Sequence, residues 1–188
     1  MRPEIVLASA SPRRLEILKM FRLNPVVSVS DVEEKVEEGL TPDKIVIGLS
    51  CIKGEAVAPR YPEALVVSAD TVVAYEGKIL GKPRGEREAY EMLKSLSGTS
   101  HEVYTGYSMF FGGRCVSRAV RTVVKFKKLS DYEIKEYIKT GEPFDKSGVL
   151  IWNKRESLMY QGFLSFLFFV IKISNELSRL RCQFRCSK

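Results

Sequence analysis

The sequence predicts a single domain of the α/β or α+β class, and three observations carry that reading. The apolar run EIVLAS (4–9) ends in small residues and gives way to a helix start, SPRR. A second run, ALVVSAD (64–70), is apolar until it stops at a carboxylate, the pattern of a buried strand emerging at a site. Segments with helical spacing are interspersed with these runs, so strands and helices mix along the chain. The length of 188 residues, with 45% hydrophobic and 28% charged, gives one ordinary domain with a real core.

The elements can be justified in order. EIVLAS reads as a buried strand. Ser11 then fits an N-cap and Pro12 the first helical position, where a missing N–H costs nothing, and Leu15, Leu18 and Phe21 recur at helical spacing. NPVVSVSD (24–31) suggests a second strand leading into the acidic stretch DVEEKVEE. TPDKIVIGLSCIKGEAVA (41–58) has a Thr cap, Pro and early Asp of a helix, although Gly48 and Gly54 weaken it.

After the 64–70 strand, TVVAYEGKIL (71–80) reads as strand, Glu-Gly turn and strand. REAYEMLKSLSG (87–98) sets Ala89, Met92, Leu93 and Leu96 on one helical face and closes at Gly98. Residues 101–130 form a long hairpin about Gly112-Gly113. The segment 130–143 opens on a Ser cap and ends at Gly141 and Pro143, which makes a last helix.

The totals narrow the function classes. A formal net charge of +7 suits polyanionic partners such as nucleotides, nucleic acid or an acidic membrane surface, as well as plain solubility. Cys51, Cys115, Cys182 and Cys186 form no CxxC pair, and the single His101 completes no usual zinc set; reduced cytosolic thiols are the expectation. The N-terminal apolar run is too short for a signal peptide. GFLSFLFFVIKI (162–173) falls well short of the roughly 20 residues that span a bilayer. The expected chain is soluble and cytoplasmic.

Arg13 and Arg14 stand in the first turn of a helix, where the backbone is already electropositive. Uncompensated, each would disfavour the helix by about 0.3 kcal/mol or more. An anion bound there removes the objection, because N–H groups and forked guanidiniums both receive phosphate. Ser9 and Ser11 add hydroxyl donors beside the same spot. The plainer reading has both arginines in solvent or paired with carboxylates such as Glu16. Asp70 can hold a divalent cation or take a proton from water, or simply cap a turn. Lys82 in GKPRG can neutralise a phosphate. Glu33 and Glu34 can assist a metal, although their run looks like a solvated acidic face. Taken together, these residues suit metal-assisted attack on a phosphoanhydride.

The motifs LASASPRR, SADTVV, GKILGKP, LSGTSHEVYTG and EPFDKSG, in that order over residues 4–149, resemble the Maf family of nucleoside triphosphate pyrophosphatases. The resemblance implies an α/β Maf/Ham1 (ITPase-like) fold, a mixed sheet with flanking helices around a nucleotide cleft. It implies water attack at the α–β linkage with a divalent cation, Mg²⁺ or Mn²⁺, giving the monophosphate and pyrophosphate. By motif match Asp70 is the catalytic acceptor and a metal ligand, and Glu33 a second metal ligand. Ser9, Arg13, Arg14, Lys53, Thr71 and Lys82 contact the substrate. Arg13 after Ser-Pro and Thr71 after Asp70 are similar to the branch acting on dTTP and UTP, which implies a house-cleaning role. Septum inhibition, a family association, supplies a regulatory alternative without turnover. The implied partner is a nucleoside triphosphate, with no stable nucleic acid, no membrane, and a homodimer left open.

The single domain is expected to cover 1–188, with an atypical tail at 150–188. After DKSG the family continues with a segment like AYGIQGKG, whereas this chain reads VLIWNKRES, placing Trp152 and Asn153 where the family's glutamine contacts the base. Codons for Ile-Trp-Asn-Lys-Arg, read one base later, can spell Tyr-Gly-Ile-Lys-Gly. The hypothesis is a frameshift near Val149. Sequencing the DNA checks it, since the absence of any small insertion or deletion restoring the motif would rule it out.

Overall fold

The computed structural model describes residues 3–34 and 39–145. The departure after Val149, with Trp152, Cys182 and Cys186, lies outside the described residues. Strand β1 (Ile5–Leu7) leads through a short loop into helix α1 (Pro12–Met20), with Pro12 in the first turn. Ser11 occupies the N-cap position, but its hydroxyl caps nothing; its own N–H donates to Ser9 Oγ at 3.3 Å. Strand β2 (Val26–Val27) is far shorter than the run that predicted it.

Helix α2 (Pro42–Val57) runs unbroken through both glycines and passes into a 3₁₀ turn at Ala58–Arg60. The apolar run and the first arm of the expected hairpin are one strand, β3 (Leu65–Tyr75). Asp70 therefore sits in mid-strand instead of ending one. The cause is β5 (Ser100–Phe111), whose pairing runs without a break from Val66 opposite Phe110 to Ala74 opposite Glu102. The Glu76-Gly77 turn, with both φ positive, joins β3 to β4 (Lys78–Leu80). Helix α3 (Glu86–Leu96), the hairpin of β5 with β6 (Arg114–Lys125), and helix α4 (Asp131–Lys139) follow, ending in a 3₁₀ turn at Glu142–Asp145.

The sheet has the order β2-β1-β3-β5-β6, with β4 also paired to β3. β1 is parallel to β2 and β3, while β3, β4, β5 and β6 pair antiparallel. Side-chain alternation along β3 divides the core between two faces. Leu65, Val67 and Ala69 pack with Leu18 of α1 and with Tyr107. Val66 and Val72 face α2, meeting Val57 and Ile45, Val46 and Leu49 respectively. A separate cluster joins α3 to α4 through Ala89, Leu93, Ile134 and Ile138. Burying a leucine such as Leu18 or Leu93 contributes about 2 kcal/mol.

Candidate active site

The site lies where one edge of β3 loses its partner. β1 pairs with β3 only as far as Leu7 opposite Val67, with Ala8 N–H closing on the Val67 carbonyl at 2.8 Å. On the same edge β4 begins at Leu80 opposite Val73. Among the described residues, Ser68–Val72 thus has no strand on that side, while β5 holds it rigidly on the other. Asp70 is at the centre of this notch. A loop from β1 and the start of α1 border it, an arrangement that suits ligands in open sheets at the carboxyl ends of strands.

Close packing of α2 brings a lysine to Asp70. Gly106 lies directly opposite Asp70 on β5, and a Cβ there would stand 2.2 Å from the Val46 carbonyl oxygen. A Cβ on Gly54 would stand 2.1 Å from the Phe110 ring and 2.7 Å from Ser68 Oγ. Only glycine lets helix and sheet approach this closely. Fully buried hydroxyls line the contact: Ser68 donates to the Ser50 carbonyl at 2.6 Å, and the Ser50 and Ser108 hydroxyls share a hydrogen bond of 2.8 Å. From this position Lys53 Nζ donates to Asp70 Oδ1 at 2.5 Å and meets Glu34 Oε1 at 2.9 Å. The Lys53 and Asp70 side chains are only 13% and 14% exposed. Two carboxylates therefore converge on one ammonium, Asp70 largely out of water and Glu34 half exposed.

Arg14 approaches from the other side. Its Nη1 donates to Ser9 Oγ at 2.9 Å, and Ser9 is buried. Burial is the largest influence on the guanidinium and lowers its pKa; Arg13 adds to this, while Asp70 and Glu34 oppose it. Arg14 and the N–H groups of the first turn of α1 together form a receptor for anionic oxygen.

The predicted residues divide accordingly. Ser9, Arg14, Lys53 and Asp70 come together. Arg13 is near enough to α4 for its charge to oppose the upward shift that burial, then Glu142, imposes on Tyr137. Thr71 follows Asp70 in the strand and so points to the opposite face, sharing a hydrogen bond of 3.1 Å with Thr105. Lys82 is exposed two residues past the end of β4, whose Leu80 lies opposite Val73 at the border of the notch. Glu34 supplies a second carboxylate on Lys53, and Glu33 precedes it in the chain. Gly106 went unrecognised in the sequence, although a glycine inside the strand-like HEVYTGYSMFF is a signal of close backbone approach. The seryl hydroxyls under α2 have no comparable signal.

Among the described residues no three His, Cys, Asp or Glu side chains gather as a metal site. The donor set on hand is the carboxylate pair Asp70 and Glu34. A cavity of about 440 Å³ between the turn after α2 and the β5–β6 hairpin is lined by Tyr61, Phe110 and Phe111 and includes none of Ser9, Arg14, Lys53 and Asp70. Among the described residues no helix is long and apolar enough to cross a membrane.

The chain is 45% identical over 145 residues to the dTTP/UTP pyrophosphatase of Bacillus cereus, covering 77% of this chain and 76% of that protein. It is equally similar, over the same shares, to the protein of that name from Bacillus cytotoxicus. The solved Ham1 protein of Staphylococcus aureus shares the fold with a TM-score of 0.52 at 14% identity, covering 92% of this chain and 99% of that one. The family model described as Maf-like protein matches residues 4–161, and on that span and those identities this chain belongs to the Maf family.

Proposed function

We propose that this chain is a nucleoside triphosphate pyrophosphatase that hydrolyses dTTP and UTP to the monophosphate and pyrophosphate, a house-cleaning activity in the cytoplasm. The observation that carries the reading is the half-enclosed Asp70–Lys53–Glu34 triangle at the β3 notch, facing Arg14 and Ser9. It sits in a chain 45% identical to proteins named for that reaction.

Each residue has a task there. Arg14, Ser9 and the first turn of α1 receive phosphate oxygens, and Lys53 adds positive charge where the leaving pyrophosphate gathers negative charge. Asp70 takes the proton of the attacking water, held in place by Lys53 until substrate arrives. Arg13 and Lys82 stand at the rim, suited to outer phosphates, and Thr71 reaches substrate only from the opposite face of β3.

Asp70 and Glu34, with Glu33 adjacent, suit a hard divalent cation. Mg²⁺ or Mn²⁺ accepts one or two carboxylates and fills its remaining positions with phosphate and water. Lys53 Nζ, lying between the two carboxylates, marks where positive charge is stabilised. Bound there, the cation would neutralise phosphate charge and polarise the phosphoryl group.

The test is pyrophosphate release from dTTP, UTP, CTP, GTP and ATP with Mg²⁺ or Mn²⁺. Preferential turnover of dTTP and UTP is expected. A folded chain that binds these nucleotides and releases no pyrophosphate would contradict the proposal.

A further inference from the structure

A second set of reactive groups lies on the β6 side of α2. The hydroxyls of Ser50, Ser108 and Ser117 form a chain with steps of 2.8 Å from α2 across β5 to β6, and Cys115 Sγ reaches Ser117 Oγ at 3.5 Å. Cys115 pairs across the strands with Phe110, whose ring packs on Gly54, one turn along α2 from Cys51. Cys115 acts electrostatically on the Cys51 thiol, and Cys51 donates its S–H to Glu55 Oε1 at 3.3 Å. Cys115 is exposed, whereas Cys51 is partly covered.

From this juxtaposition we propose that Cys51 and Cys115 are a redox pair, which a hydroperoxide converts to an intramolecular disulfide tying α2 to β6. The division of labour follows from the surroundings. Burial, with help from Glu55 and Cys115, pushes the Cys51 thiol up to about 12, so it remains a thiol at neutral pH. Cys115, in the open, is the sulfur that peroxide reaches. Its thiolate attacks the peroxide, the O–O bond breaks, and Cys115 becomes a sulfenic acid as one water or alcohol leaves. Cys51 sulfur then attacks the Cys115 sulfur; its proton passes by way of Glu55 to the departing hydroxide as the S–O bond breaks, and water is released. Two thiols lose two electrons and two protons, and the hydroperoxide is reduced by two electrons.

The full chain is treated with hydrogen peroxide, unfolded, alkylated and digested for mass spectrometry. The expected product is a peptide pair linking Cys51 to Cys115, two hydrogens lighter and released by dithiothreitol. Thermal unfolding of the oxidised chain should shift upward, and Cys115→Ser should show neither link nor shift. In Cys51→Ser, Cys115 should accumulate as a sulfenic acid that dimedone traps. The proposal is overturned if Cys115 proceeds to sulfinic or sulfonic acid in the unaltered chain while Cys51 remains open to alkylation. Links confined to Cys182 or Cys186 would overturn it equally.

Discussion

Helices α2 and α4 are docked by different means, and the difference separates what folds this protein from what it does. α4 follows local rules. Ser130 and Glu133 form a reciprocal capping box, and bonding to the Ser130 backbone, then Lys127, draws the Glu133 carboxyl down to about 2. Ile134 and Ile138 are buried against α3. α2 breaks those rules: its Thr41 hydroxyl makes no cap to the backbone, it holds two glycines, and one of its lysines is largely buried. It is held by close approach to β5 and by buried hydroxyls, and it carries the lysine that grips Asp70. Departures from local preference concentrate at the candidate site.

That contrast can be broken deliberately. The largest loss of stability is expected from Gly106→Ala, because the added carbon meets the backbone of Val46, which cannot rotate away. A cost of about 3 kcal/mol, measured by urea unfolding, is expected. Lys53→Met should cost about 2–3 kcal/mol, since it leaves the Asp70 carboxylate half-enclosed and unpaired, and adding Asp70→Asn should recover much of this. Recovery of none would mean that Asp70 and Lys53 are not energetically coupled.

In the α4 region the effects should be smaller and confined to stability. Ser130→Ala should cost about 1 kcal/mol with turnover unchanged. His101, at 1% exposure with both ring nitrogens unpartnered, packs on Phe126, and burial lowers its pKa below the usual 6.5. Acid protonates the unfolded chain first, so His101's neutral burial is fully favourable above about pH 6.5 and becomes a liability as pH falls toward the depressed value. The expected slope approaches about 1.4 kcal/mol per pH unit at most. His101→Leu should flatten that part of the acid limb; an unchanged limb would reject the assignment.

The same contrast explains how much was legible. Helix α4, the Glu76-Gly77 turn and the β5–β6 hairpin follow from caps, periodicity and glycine, all of which act within a few residues. Arg14 and Asp70 stood out because a cation at a helix start and a carboxylate in an apolar run are locally unfavourable. The continuation of β3 through Asp70 depends on β5, over thirty residues away in sequence, and no local pattern reports it. The same holds for Glu34 reaching Lys53 and for Thr71 turning to the opposite face. These are matters of register and approach, decided by tertiary pairing.

The central claim is that Asp70 performs chemistry at the notch instead of merely holding nucleotide. Turnover and binding of dTTP should be measured together in the unaltered chain and in Asp70→Asn, which keeps the side chain's shape. Pyrophosphate release should fall about a hundredfold or more in the variant, with dTTP affinity changed only a few-fold. Undiminished turnover in the Asn variant would contradict that claim.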